Sequence, residues 1–145
     1  LDRDPKTIAQ RQRALELLAA GLIKPRSAVD LLTWFVISLK SGLSARACAA
    51  WIHRGQWSLV FRSDPSSSPK DPTGEKGALR ENDDGLWIDL LSDRGAIGRV
   101  WLFGHDTLDD GLRGVLLALA GAAGMVLERA IALDRIAIVT SAEII

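Results

Sequence analysis

The chain carries one cysteine, Cys48, and two histidines, His53 and His105, in 145 residues. A single cysteine excludes a disulfide framework and every cysteine-cluster metal site, and two histidines do not build a metal site by themselves. No metal and no cofactor are expected. Excess charge is also missing, because 18 basic and 18 acidic side chains cancel. That removes the basic surplus on which nucleic-acid binding depends. Long apolar runs are absent as well. The longest stretch without a charge, Gly114 to Leu127, is fenced by Arg113 and Glu128 and falls short of the ~20 residues of a bilayer span. Neither nucleic acid nor a membrane is an expected partner. The chain begins at Leu1 without a basic-then-apolar leader and ends on Glu143-Ile144-Ile145, which suggests a segment of a longer, cytoplasmic protein.

With 48% hydrophobic and 25% charged residues, the chain has the size and composition of one folded domain. Its charge is unevenly spread: residues 1–62 carry +6, residues 63–110 carry −6, and the remainder is neutral. Solvated loops and helix faces account for such runs; the alternative is a dipolar surface that orients two protomers head to tail.

Asp4-Pro5 is a helix start, after which Ile8, Leu15, Leu18 and Leu22 share one face up to Gly21 and Pro25. Ser27 with Asp30 reads as a capping box for a second helix, whose stripe of Leu31, Leu32, Phe35, Val36 and Leu39 stops at Gly42. From Ala45 the period becomes two. Arg46–Ile52 and Trp57–Arg62 read as a hairpin about a two-residue Arg54-Gly55 turn, setting Cys48, Ala50 and Ile52 against Phe61, Leu59 and Trp57. The other face then holds Ala47, Ala49, Trp51, Ser58, Val60 and Arg62. Residues 63–84, with three prolines and four serines, read as a loop long enough to be functional or mobile.

A second hairpin turns at Ser92-Asp93-Arg94-Gly95-Ala96, with Gly95 in the left-handed position of a bulge. That register sets Leu90, Ile88 and Leu86 against Gly98, Val100 and Leu102. On the opposite face it sets Asp89 against Arg99 and Trp87 against Trp101, with Leu91 beside Ile97. Thr107 with Asp110 reads as a capping box for a last helix from Leu108 to about Asp134, rich in small residues at Gly114, Ala118, Gly121, Ala122 and Gly124. Interior glycines cost about 1 kcal/mol each relative to alanine, so this helix needs a close partner.

Two helices, a hairpin, a long loop, a hairpin and a long helix describe an α+β domain with helices gathered on one face of an antiparallel sheet. Ser44–Ile52, the Leu90–Leu102 hairpin with its Gly95 and Ile97-Gly98, and Thr107–Leu112 running into Leu127-Glu128-Arg129-Ala130 together resemble the motifs of GAF domains. The resemblance spans roughly Pro25 to Asp134. It implies a GAF-like, PAS-related sheet with the N- and C-terminal helices on one face and ligands, where a member binds them, on the other. Asp89 replaces the family's proline, the ligand-side region shrinks to 63–84, and the asparagine and lysine of cyclic-nucleotide-binding members are missing, which argues against a cyclic nucleotide. No cysteine stands where a bilin would attach; Cys48 reads as a small buried hydrophobe.

The ligand-side candidates are Trp51, Ser58, Trp87, Asp89, Arg99 and Trp101, whose aromatic faces suit a planar or apolar molecule oriented by the ion pair. The plainer alternative is that the tryptophans pack under the shortened loop and Asp89–Arg99 is a surface cross-strand pair worth about 0.2–1 kcal/mol. His53 and His105 are expected in solvent with no nucleophile beside them, so no catalytic residue is assigned. Asp83-Asp84 and Asp109-Asp110 lack calcium-loop spacing.

The leading expectation is a regulatory, non-enzymatic module of a bacterial signalling protein. Residues 1–23 would form a dimerisation helix, 24–134 the domain, and 135–145 the start of a connector to an output domain, with Ile136, Ile138, Val139, Ile144 and Ile145 along it. The first and last helices would lie side by side and offer Ile8, Leu15, Leu22, Val126, Ala130 and Leu133 to a second copy. The alternative is a small-molecule sensor that uses the tryptophan-bearing face, with 63–84 as its lid.

Overall fold

The computed structural model describes residues 5–66, 69, 72 and 77–144, with side chains between residues 8 and 136. Helix α1 (Pro5–Gly21) is followed by α2 (Ala28–Gly42), strands β1 (Ala47–His53), β2 (Trp57–Arg62), β3 (Leu79–Asn82), β4 (Gly85–Ser92) and β5 (Gly95–Phe103), and helix α3 (Asp110–Ile144). The strands form one antiparallel sheet in the order β2-β1-β5-β4-β3. The architecture is the expected α+β sheet with helices on one side.

The helices end where the sequence chemistry directs. Ser27 Oγ accepts from the Asp30 N–H at 3.2 Å, opening α2. The last helix opens two residues later than the Thr107 box implies. Asp109 is its cap, with Oδ1 accepting from Leu112 N–H at 2.7 Å. At the far end, Asp134 Oδ2 accepts from Ala28 N–H at 3.2 Å and lies 3.6 Å from Arg54 Nη2. A carboxylate at the positive end of α2 is favourable, and it fixes α3 lengthwise against α2 and the β1–β2 turn.

Helices α2 and α3 lie on the sheet, while α1 packs on α2. The expected side-by-side pairing of the first and last helices is therefore replaced: α2 takes the place beside α3. Leu15, Leu18 and Leu22 belong to the same core as Leu31, Leu32 and Phe35 of α2, Cys48, Ala50, Ile88, Leu90 and Val100 of the sheet, and Leu116, Ala123 and Leu127 of α3. Residues 5–22 are thus part of the domain's packing, and α3 runs past Asp134 without a break. Ile138, Val139 and Ile144 lie in α3 with side chains outside the described ones, and Ile145 lies outside the described residues. By length and composition alone the stretch Asp110–Ile136 would cross a membrane, contrary to the reading from its charge-free run. Its Leu112, Leu116, Leu119, Ala120, Ala123, Leu127 and Ala130 are nevertheless buried in the core.

Gly124 shows how closely α3 sits. A Cβ there would collide with the carbonyl oxygen of Leu91 in β4, whereas Cβ atoms at Gly114 and Gly121 would meet nothing within 4 Å. One glycine of the helix serves contact with the sheet, and two face away from it.

The β4–β5 register is as expected from Leu86↔Leu102 through Leu90↔Gly98. A bulge after Leu90 moves Leu91 from Ile97 to Ala96 and closes the hairpin at Ser92↔Gly95, with Gly95 at φ +109°. The β1–β2 hairpin differs more. Its loop has three residues, Arg54, Gly55 and Gln56, so His53 pairs with Trp57, Ile52 with Ser58 and Trp51 with Leu59. A bulge between Ala50 and Trp51 then sets Phe61 opposite Ala50, where Cys48 was expected, and restores its inward facing. An odd loop reverses the facing of every residue up to the bulge. Finally, residues 63–84 are not all loop: β3 forms within them and pairs with β4 through Leu79↔Ile88 and Arg80↔Trp87.

Candidate functional site

The sheet surface away from the helices brings together five of the six expected ligand-side residues. Trp51 stands opposite Arg99, Arg99 opposite Asp89, and Trp101 between Ala49 and Trp87. Ser58 does not join them: its pairing with Ile52 puts it on the helix side of the edge strand, exposed. Trp57 comes to the outer face instead, packed against the cluster to which Trp51, Trp87 and Trp101 belong.

Asp89 and Arg99 form a bidentate pair, Nε to Oδ1 at 2.7 Å and Nη2 to Oδ2 at 3.0 Å. Arg99 Nη1 donates to the Pro72 carbonyl. The guanidinium carbon lies 4.7 Å from the centroid of the Trp57 ring, within cation–π range. Trp51 and Trp87 stack with centroids 5.6 Å apart, and Arg80 of β3 lies 5.7 Å from the Trp87 ring. Trp101 Nε1 donates to the Asp84 carbonyl at 2.8 Å. That contact needs Gly85, where a Cβ would lie 2.7 Å from the indole nitrogen and where φ is +134°.

The centre of this face is closed. Asp89 is 2% and Arg99 3% exposed, and Trp51, Trp87 and Trp101 are buried. The expectation of a surface pair is thereby corrected: a cross-strand pair on the open face of an antiparallel sheet is normally wet, but here the Pro72 carbonyl meets Arg99. The tryptophans make a second apolar cluster.

Sequence reasoning missed Trp57, Arg80 and Pro72. The alternation of Trp57, Leu59 and Phe61 reads as one inward face, and only an odd turn followed by a bulge separates the first two from the third. Arg80 belongs to a four-residue strand, Leu-Arg-Glu-Asn, whose charges suit an edge but hide it from hydrophobic periodicity.

The histidines sit apart from this face's ion pair. His53 contacts Trp57 edge-on at 4.9 Å. His105 is not in solvent as expected: its side chain is 10% exposed, and Nε2 lies 2.6 Å from Glu81 Oε2. Glu81 Oε1 takes a hydrogen bond from Arg113 Nη2 at 2.6 Å. These contacts hold the Glu81 carboxyl below its ordinary range, the hydrogen bond to His105 first and the charges of His105 and Arg113 after it. Burial pushes the Cys48 thiol up, as suits an unreactive core cysteine. Of the two Asp pairs, one carboxylate has a capping role. The Asp84 N–H donates to Asn82 Oδ1 at 2.8 Å, and Asp109 caps α3. Among the described residues, no group of three or more His, Cys, Asp or Glu is placed to hold a metal.

Of the expected dimer-interface residues, Leu15, Leu22 and Ala130 are buried within the protomer and Val126 packs against the core. Ile8, at 42%, and Leu133, at 53%, are exposed.

Solved structures built on a five-stranded antiparallel sheet with helices on one face match nearly the whole chain. The fold is that of a GAF domain. A GAF domain assigned to a sensor histidine kinase from Pseudomonas syringae pv. tomato superposes with a TM-score of 0.68 at 16% identity, covering 93% of this chain and 96% of that one. The GAF domain of an Acinetobacter phosphoenolpyruvate-protein phosphotransferase gives 0.63 at 14% identity, over 86% and 97%. That of the Coxiella burnetii phosphotransferase gives 0.59 at 14% identity, over 88% and 98%. No protein-family model and no curated protein sequence matches the chain, so the likeness to GAF domains is one of structure.

Two predictions follow from the ion pairs. Removing one partner of a buried pair strands the other, so Asp89→Ala lowers the unfolding free energy in urea by about 3–5 kcal/mol, whereas Asp89→Leu with Arg99→Met together lose far less. For Glu81, a folded-state carboxyl held below its unfolded value of about 4.3 adds stability that is full above that pH and is lost as pH falls through the folded value. Glu81→Gln therefore flattens the acid limb of the stability–pH curve below about pH 4.3.

Proposed function

We propose that this domain is a non-enzymatic regulatory module of a cytoplasmic, bacterial-type signalling protein, which pairs with a second copy through its terminal helices and passes a conformational bias along α3 to an output domain. The GAF fold gives the class, because the similar structures include domains of a sensor kinase and of phosphotransferases. Fold alone does not give function, so the weight rests on α3.

The carrying observation is the free face of that helix. Gly114, Ala118, Gly121 and Met125 recur at spacings of four, three and four, with Ala132 a heptad beyond Met125, and all are exposed. Leu117, Leu133 and Ile136 flank them, also exposed, and Met125 is 73% exposed. Alternating three and four residues keep one stripe facing a partner helix, and small side chains allow close approach. On α1, Ile8 and Leu17 are exposed while Leu15 and Leu18 point into the core. This reading moves the pairing surface away from Leu15, Leu22, Val126 and Ala130.

The sensor alternative asks a ligand to enter a face whose ion pair and tryptophans are already buried. The closed Asp89–Arg99 pair favours the pairing module over that reading.

Sedimentation over a concentration series tests it. The wild-type chain is a dimer, and Ala118→Arg, which sets like charges against each other at the centre of the stripe, weakens it by about 3 kcal/mol or more without changing helix content. A wild-type chain that stays monomeric throughout the series removes the pairing reading.

A further inference from the structure

We propose that Glu81, His105 and Arg113 form a junction that couples edge strand β3, and with it the outer face of the sheet, to the start of α3. This rests on the reading of α3 as the output helix, and the test separates the two.

The junction joins three elements that the chain order keeps apart. Glu81 lies on β3, His105 in the connection from β5 to α3, and Arg113 in the first turn of α3. One carboxylate holds both others: Oε2 is 2.6 Å from His105 Nε2 and Oε1 is 2.6 Å from Arg113 Nη2. Glu81 stands opposite Leu86, so it faces the helix layer, while its neighbour Arg80 stands opposite Trp87 and lies over that ring on the outer face. A displacement of β3 therefore moves a group on each side of the sheet.

On the outer side β3 is tied to the ion-pair row. The Asp89 N–H donates to the Ala78 carbonyl, immediately before β3, at 3.0 Å. Any rearrangement that opens Asp89 and Trp87 must shift this edge. On the helix side, the next residue after His105 reaches the opposite way. Asp106 takes Arg11 of α1 at 2.5 Å, and its N–H donates to the Leu43 carbonyl at the end of α2 at 3.0 Å. The short connection 104–109 thus holds β3 with one side chain and α1 with the next, directly before the cap of α3.

The geometry favours coupling over an incidental surface contact. An isolated exposed ion pair contributes little, but a network with a buried member is different. His105 is nearly buried, and Glu81 is its one hydrogen-bond partner among the described residues, its Nδ1 making none. Withdrawing Glu81 leaves a largely buried imidazole without that partner, a cost that falls on the connection.

Hydrogen exchange of the whole 145-residue chain tests this, comparing wild type with Arg113→Gln and Glu81→Gln, and with Arg94→Gln in the β4–β5 turn as control. Arg113→Gln, a change on α3, speeds exchange of the β3 amides by about three- to tenfold, and Glu81→Gln does the same to the first turn of α3, as expected for coupled local openings. The control moves neither. The proposal is overturned if each substitution speeds exchange only in its own element; should Glu81→Gln not fold, Arg113→Gln decides alone. A monomeric chain with reciprocal exchange keeps the junction and removes pairing, and a dimer without it does the reverse.

Discussion

The buried pair of Asp89 and Arg99 governs the rest of this structure. Two charges taken out of water are tolerable only when each is fully hydrogen-bonded by the other and its surroundings. The bidentate geometry supplies most of that, and the Pro72 carbonyl and the Trp57 ring supply the remainder for the guanidinium. The tryptophans pack around the pair because a dry ion pair needs dry walls. An antiparallel sheet that would ordinarily show one face to water is thereby buried on both faces at β1 and β4.

With the ion-pair row closed, the helix layer still carries free apolar surface, at Leu117, Met125, Leu133 and Ile136. Helix α3 is fixed at one end by Arg113 and Glu81 and towards the other by Asp134 against α2 and Arg54. Between those anchors, Gly124 lets its backbone sit against β4, and the opposite side carries glycines with no intramolecular neighbour. Glycines in a helix are destabilising unless close packing offsets them. The arrangement is coherent if a second helix lies on that side, and it also explains why a core helix has a composition apolar enough to pass for a membrane span.

Much of the fold was legible because the strongest signals are local. The Ser27–Asp30 box, the Gly42 stop and the Gly95 turn each specify a backbone conformation through a few neighbouring atoms, and the β4–β5 register followed from that turn. The β1–β2 register was not legible: one residue in a turn decides the facing of a strand, and neither Arg54 nor Gln56 marks the loop as three residues long. Strand β3 was hidden because its partner is a strand later in the sequence and its own side chains are charged. The Asp89–Arg99 pairing was readable, but its burial was not, since burial depends on a proline 27 residues from the arginine along the chain. Leu15, Leu22 and Ala130 read as free surface but are buried within the protomer, because periodicity identifies an apolar face without saying that the sheet or α2 already occupies it.

The outer face holds a buried ion pair of the chain's own, and we propose that the domain works through its helices. Native mass spectrometry of gently purified protein tests both parts in one spectrum. The account predicts twice the mass of the 15.7 kDa chain with no additional small molecule retained. A monomer carrying a reproducible added mass would contradict it, because that face would then be a binding site and the helices would have no partner.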